Sequence, residues 1–134
     1  MTQGVAASPL AVLVSIAVGA ILGAWLRYGL ALWLNARGWL PLGTFVANAA
    51  GGFLVGLALG WLAEHPGAST LIRLIVVTGF LGALTTFSTF SAEVVGLMMA
   101  EYWVRAFALI ALHLISSLSL TWLGFALIRW QAGA

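Results

Sequence analysis

The stretch Thr85-Thr86-Phe87-Ser88-Thr89-Phe90-Ser91 lies inside an apolar run that extends from Leu71 to Met99. Its seven residues carry five hydroxyl groups and two phenyl rings. An unpaired polar group in hydrocarbon costs several kcal/mol, so hydroxyl groups at this depth must face protein partners, water or a passing solute. The stretch therefore predicts a membrane-spanning segment that contributes to a permeation path.

The composition of the whole chain is typical of an integral membrane protein. Of its 134 residues, 63% are hydrophobic and 6% are charged, and the mean hydropathy is +1.15. Soluble domains carry about 25% charged residues. The net charge of +2 is too small for a nucleic-acid surface, so no nucleic-acid partner is expected. The absence of Cys excludes disulfides and thiolate metal sites.

Four segments are long enough to cross a hydrocarbon core, which needs about 20 apolar residues. The predicted spans are residues 9–34, 41–63, 70–99 and 102–130, and they are joined by short loops. We therefore predict an all-α, multi-pass protein of the lipid bilayer, with residues 1–134 forming a single transmembrane domain. Tryptophans near the predicted helix ends match an interfacial aromatic belt: Trp33, Trp39, Trp61, Trp103 and Trp130.

Glycine spacing predicts close helix packing. Gly19 and Gly23 form one G-x-x-x-G pattern, and Gly52, Gly56 and Gly60 form two overlapping ones. Such rows let helix backbones approach closely in lipid. They indicate a tightly packed assembly without indicating a function.

The arginines are nearly balanced between the two predicted sides of the membrane. Arg73 and Arg129 lie on one side, and Arg37 and Arg105 lie on the other, together with Arg27 if it reaches that surface. The positive-inside rule then gives no firm orientation. The chain could insert both ways and form an antiparallel homodimer. The alternative is that other loop features fix a single orientation.

Polar residues on the second and fourth spans are candidates for lining a pathway. Asn48 is a deep amide that either joins helices or donates to a solute. His113, Ser117 and Thr121 repeat every four residues and form one polar stripe on the fourth span. The hydroxyl groups of the stripe could instead bond to carbonyls of their own helix.

The third span offers rings, hydroxyls and glycines together. Phe87 and Phe90 share one helix face, and their positive ring edges can face an anion, although core packing is the commoner role. Ser88 lies between them in the same candidate pathway. Gly79 and Gly82 lie just upstream and could permit a helix break, where freed carbonyls coordinate cations.

Ionisable residues near membrane depth are candidates for function. Arg27 could reach the headgroups or place a positive charge at an aqueous vestibule that collects anions. Glu93 lies one turn beyond Phe90 and is expected to face water or to pair with an arginine. The sequence shows no nucleophile–base pair and no metal-binding motif, so we do not expect an enzyme.

Two alternatives to a channel remain at this point. A small multidrug-type, proton-coupled exporter also has four helices, but that mechanism needs a carboxylate in the first span. The first span carries Arg27 and no acid, which leaves Glu93 as the residual candidate. A non-transporting structural subunit would leave the hydroxyl-rich stretch unexplained.

Three stretches together resemble the Fluc (CrcB) family of bacterial fluoride channels. They are GAWLRY at residues 23–28, GTFVANAAGGF at residues 43–53 and GFLGALTTFSTFS at residues 79–91. The resemblance implies an antiparallel, dual-topology homodimer with two pores in the bacterial inner membrane. It also implies passive export of cytoplasmic fluoride, which confers fluoride resistance.

The resemblance further assigns roles to individual residues. Asn48 would donate hydrogen bonds to fluoride, and the edges of Phe87 and Phe90 would form the sides of its path. Ser117 and Thr121 would extend the polar track, with His113 in the same stripe.

A cation site is also implied by the resemblance. The third helix would break near Gly82 to Thr85, and the backbone carbonyls of these two residues from both subunits would hold a central structural Na⁺. Arg27 would lie at the vestibule that feeds the pores. Ala83 departs from the family pattern, which usually has a second glycine after Gly82.

Overall fold

The computed structural model describes residues 8–35 and 38–133, so Arg37 lies outside the described residues. The helices are α1 (Pro9–Leu34), α2 (Leu42–Glu64), α3 (Thr70–Arg73), a π-helix (Leu74–Leu81), α4 (Gly82–Leu84), α5 (Phe87–Met99) and α6 (Trp103–Gln131). No strand occurs in the described part of the chain.

Four of the described helical segments are long and apolar enough to cross a membrane: Pro9–Leu34, Leu42–Glu64, Thr70–Met99 and Trp103–Gln131. The third of these contains α3, the π-helix, α4 and α5. The predicted all-α membrane fold with four spans and a broken third helix is therefore confirmed.

Local chemistry explains where the helices begin. The Ser8 hydroxyl accepts the N–H of Ala11 at 3.2 Å, and Pro9 occupies the first helical position of α1, where its missing N–H costs nothing. Beyond the end of α1, the Asn35 side-chain oxygen accepts the N–H of Gly43 at 2.6 Å. This bond joins the end of α1 to the first turn of α2.

Glycines set the spacing between two pairs of helices. A Cβ at Gly56 would collide with backbone atoms of Thr121 and Phe125, so α2 and α6 pack backbone against backbone. A Cβ at Gly19 would likewise collide with the carbonyl oxygen of Ile75, which brings α1 against the π-helix. Both glycine rows therefore act as packing surfaces within one chain.

The third span breaks at two extended residues. Thr85 has φ −80° and ψ 147°, and Thr86 has φ −147° and ψ 115°, so the helix stops and restarts between α4 and α5. The Thr86 hydroxyl then caps α5 by accepting the N–H of Thr89 at 3.1 Å. The π-helix ends at Leu81, and only the short α4 separates it from this break. Such wide turns are often found at functional sites.

Candidate functional site

Asn48 on α2 is bonded to the break in the third span through both ends of its amide. Its Oδ1 accepts the N–H of Thr86 at 2.7 Å, and its Nδ2 donates to the Thr86 carbonyl at 3.0 Å. The N–H donor of Thr86 fixes which end of the amide is the oxygen. A single side chain thereby satisfies both backbone groups of a residue that has left the helix.

The orientation of Asn48 also determines the tautomer of His113. Its Nδ2 lies 3.2 Å from Nδ1 of His113, and since an amide NH₂ can only donate, Nδ1 is the acceptor. In the neutral ring the proton therefore resides on Nε2. The His113 side chain is 3% exposed, and its Nε2 is buried without a hydrogen-bond partner among the described residues. The ring thus presents an unused N–H donor.

Aromatic rings surround this histidine. Phe90 stacks on it with centroids 4.5 Å apart, and Phe45 meets it edge-on at 5.5 Å. Phe87 approaches Phe90 at 5.6 Å with an angle of 60° between the rings. Phe90 is 7% exposed whereas Phe87 is 75% exposed, so the Phe87 ring lies at the surface of the bundle.

A cavity of about 270 Å³ brings most of the candidate pathway residues together. It lies between α2, α5 and α6, and its walls are Asn48, Gly52, Thr85, Thr86, Phe87, Phe90, His113, Leu114, Ser117 and Leu118. No charged side chain is among these lining residues. The cavity therefore offers neutral donors and ring edges to whatever enters it.

The remaining pathway candidates occupy different positions. Thr121 donates its hydroxyl to the carbonyls of Gly52 at 3.0 Å and Ser117 at 2.8 Å, so this hydroxyl proton is held by backbone atoms. Ser117 lines the cavity. Ser88 is exposed beside the break, with its hydroxyl 3.2 Å from that of Thr86.

Arg27 reaches the break from α1. Its Nε donates to the carbonyl oxygen of Ala83 at 3.0 Å. The residue also lines a smaller cavity of about 150 Å³ together with Thr44, Thr86 and Thr89. Arg27 therefore bonds to the broken segment and also borders this smaller, polar cavity.

Glu93 is partly exposed and lines a recess with Asn35 and Gly96, and no arginine bonds its carboxyl group within the described ranges. Its Oε1 accepts the hydroxyl of Thr44 at 2.6 Å, and its Oε2 is buried with no partner among the described residues. Thr44 lies one turn before Asn48 on α2. The carboxyl group therefore lies next to the Asn48 site on the same helix face.

The break changes the partners of two backbone N–H groups that would otherwise bond to the carbonyls of Gly82 and Thr85. Within a continuous helix, the carbonyls of Gly82 and Thr85 would accept the N–H groups of Thr86 and Thr89. These N–H groups instead donate to the side chains of Asn48 and Thr86. Oxygen ligands are those that hard cations prefer, so the two carbonyls fit such an ion. No His, Cys, Asp or Glu cluster in the described ranges could hold a metal ion.

Sequence reasoning missed two contributors to the site. Phe45 supports His113, and Thr44 binds Glu93. Both precede Asn48 by three or four positions, and that helical spacing was the available signal. The partner role of Thr86 could not be read from spacing, because it depends on the break.

The family described as CrcB-like protein, Camphor Resistance (CrcB), matches residues 14–125 of this chain. A protein from Thiobacillus denitrificans named "Fluoride-specific ion channel FluC" is 52% identical over 112 residues, which cover 83% of this chain and 90% of that relative. A relative of the same name from Acinetobacter baumannii (strain ACICU) is 51% identical over 122 residues, covering 90% of this chain and 96% of its own length. A third relative of the same name, from Paracidovorax citrulli, is 48% identical over 115 residues, which cover 86% of this chain and 91% of that relative.

Proposed function

The chain belongs to the CrcB-like family, and on this premise we propose that it is a fluoride-selective channel, not an enzyme. Fluoride leaves the bacterial cytoplasm through it by passive electrodiffusion across the inner membrane. The supporting observation is the cavity in which Asn48, His113 and two phenyl rings meet without a charged wall. No finding favours a proton-coupled exporter.

Fluoride is small, strongly hydrated and a powerful hydrogen-bond acceptor, so a pore must replace its water with donors. Neutral N–H groups and ring edges can do this without holding the ion too tightly to leave. A larger halide such as chloride accepts more weakly and gains less from the same donors. The selectivity for fluoride over chloride follows from this difference in hydrogen-bond acceptor strength.

Asn48 and His113 form the central pair of donors. One N–H of Asn48 is engaged by Thr86, and its longer bond, at 3.2 Å to His113, is the one that fluoride replaces. The Nε2–H of His113 points away from that bond and supplies a donor at a separate point of the track. The edges of Phe87 and Phe90 flank the ion, and Ser88 and Ser117 extend the track. Thr121 supports the track by bonding the Gly52 and Ser117 carbonyls beside it.

The conducting form is an antiparallel, dual-topology homodimer with two pores. The position of Phe87 supports this, because the ring lines the cavity and is still 75% exposed, so the cavity stays open on that side unless a second copy closes it. Arg27 and Glu93 belong to the vestibules that feed the pores. Arg27 attracts anions there, and Glu93 lies next to the Thr44 hydroxyl at the approach to Asn48.

The carbonyls of Gly82 and Thr85 from both subunits would hold a structural Na⁺ at the dimer centre. The redirected N–H groups of Thr86 and Thr89 support this assignment. When bound, the ion would supply positive charge to the partly negative carbonyl oxygens. If Na⁺ is replaced by N-methylglucamine throughout purification, the thermal stability of the dimer should fall. Unchanged thermal stability would contradict the proposal that the dimer holds a structural Na⁺.

The function is tested in liposomes loaded with potassium fluoride or potassium chloride. Addition of a potassium ionophore should release fluoride rapidly and chloride very little. Chloride efflux comparable to fluoride efflux would contradict the proposed selectivity for fluoride. If neither ion moved in demonstrably folded protein, the channel function itself would be wrong.

A further inference from the structure

A second cavity of about 270 Å³ lies where the end of α2, the beginning of the third span and the end of α6 meet. Its walls are Leu57, Ala58, Trp61, Leu62, Ile72, Arg73, Val76, Val77 and Ile128. None of these residues lines the cavity around Asn48. This groove is therefore separate from the candidate pore.

The groove runs from headgroup depth into the hydrocarbon region. Trp61 lies one turn from the end of α2, and Arg73 lies one turn from the beginning of the third span. Leu57 and Val77 lie one further turn inside on the same two segments, which is about 5–6 Å deeper. The walls at that depth are apolar.

Arg73 is the sole charged residue among the residues that line the groove. A guanidinium binds phosphate through paired N–H donors, and no acidic side chain in the lining competes for it. At the rim, Trp61 stacks on His65 with centroids 4.5 Å apart, which holds the indole ring at the interface. An apolar slot that ends at one cation matches the chemistry of an anionic lipid.

We propose that this groove binds an anionic phospholipid, with the lipid phosphate on Arg73 and part of one acyl chain between Leu57 and Val77. A single basic side chain near a membrane surface favours an anionic lipid roughly fivefold. The site prefers phosphatidylglycerol over phosphatidylcholine by about that factor.

Fluorescence quenching in vesicles tests this site. Since the chain has no Cys, Leu54→Cys introduces a unique position for a fluorophore on the exposed face of α2, one turn beyond Leu57 and outside the groove lining. The labelled full-length protein is placed in vesicles that contain acyl-chain nitroxide lipid, either phosphatidylglycerol or phosphatidylcholine. Half-maximal quenching should need about one fifth as much phosphatidylglycerol.

Three variants in the labelled background assign the preference. Arg73→Gln should abolish it, and Ala58→Phe should also reduce it by filling the slot while leaving the charge. Arg129→Gln removes an exposed charge at the same end of the molecule, outside the groove, and should retain the preference. Gel filtration of each variant establishes that it is folded.

Three outcomes would overturn the lipid site. Equal quenching by both lipids would show no headgroup recognition, and equal loss in Arg73→Gln and Arg129→Gln would show only general surface charge. No quenching by either lipid would show that a second copy of the chain covers the groove. Fluoride flux is not part of the readout, so the result is independent of the channel function.

Discussion

Asn48 and Thr86 bond to each other in both directions: the Thr86 N–H donates to Oδ1 at 2.7 Å, and Nδ2 donates to the Thr86 carbonyl at 3.0 Å. The residues are 38 positions apart. The pair holds the break in the third span against α2 and leaves one Asn48 N–H directed towards His113. One amide therefore links the architecture of the break to the candidate pore.

Replacement of Asn48 by aspartate should abolish fluoride flux in protein whose folding is verified by gel filtration. The acid keeps the acceptor for the Thr86 N–H but loses both donors and adds a charge that repels an anion. Loss of one positioned donor to an anion costs about 10²–10³ in rate in enzymes, so we expect a drop of about 100-fold or more. Efflux measured with a fluoride electrode provides the readout.

Gln131→Glu is the matched control for that change. It converts an amide to an acid at the exposed end of α6 and should retain flux near the wild-type level. Flux in Asn48→Asp that stayed within a factor of three of this control would contradict the donor role of Asn48.

Arg27→Gln should lower stability. The substitution removes the 3.0 Å bond to the Ala83 carbonyl, and hydrogen bonds to charged groups contribute about 1.5–3 kcal/mol. A decrease in the thermal unfolding temperature of the reconstituted protein is the expected result. Arg129→Gln, at an exposed arginine, should change the unfolding free energy by less than about 0.5 kcal/mol. An equal decrease in both variants would argue against a structural role for the Arg27 bond.

Gly56→Ala should be destabilising because its Cβ would collide with backbone atoms of Thr121 and Phe125. Overpacking of this kind costs about 1–3 kcal/mol. The control is Gly96→Ala, since a Cβ there meets nothing within 4 Å and alanine is favoured in a helix by about 1 kcal/mol. Thermal unfolding should move in opposite directions for the two variants; the same direction in both would contradict the packing of α2 on α6.

Glu101→Gly should stabilise the turn between α5 and α6. Glu101 has φ 63°, a left-handed conformation that costs a residue with a Cβ about 1–2 kcal/mol. The adjacent Ala100 has φ −86°, so Ala100→Gly gains no such relief and should destabilise by about 0.5–1 kcal/mol. Calorimetry of both variants measures their unfolding temperatures. A lower unfolding temperature for Glu101→Gly would contradict the predicted relief of backbone strain.

Several features of the fold followed from the sequence because they depend on local composition. The apolar runs set the number of spans, and the glycine rows predicted close packing. Gly79 and Gly82 indicated that the third span could break just after them. Each of these signals acts over one or two turns of helix and needs no knowledge of neighbouring helices.

The contacts of Glu93 and Arg27 could not be predicted from local sequence composition. The sequence predicts headgroups or a vestibule for Arg27 and water or an arginine for Glu93, but it does not predict the Ala83 carbonyl or the Thr44 hydroxyl as their partners. These partners lie 56 and 49 positions away, so no spacing rule connects them. Their pairing depends on which helix faces meet.

By itself the sequence determined the class of protein, the four spans and the residue types that can meet a dehydrated anion. Those properties follow from the free energy of transferring each side chain into hydrocarbon. Only the tertiary structure decided that Asn48 is shared between Thr86 and His113, which leaves Nε2 of His113 as the free donor. Hydrogen bonds require atoms within about 3 Å in a set direction, and helix packing alone brings such distant residues to that distance.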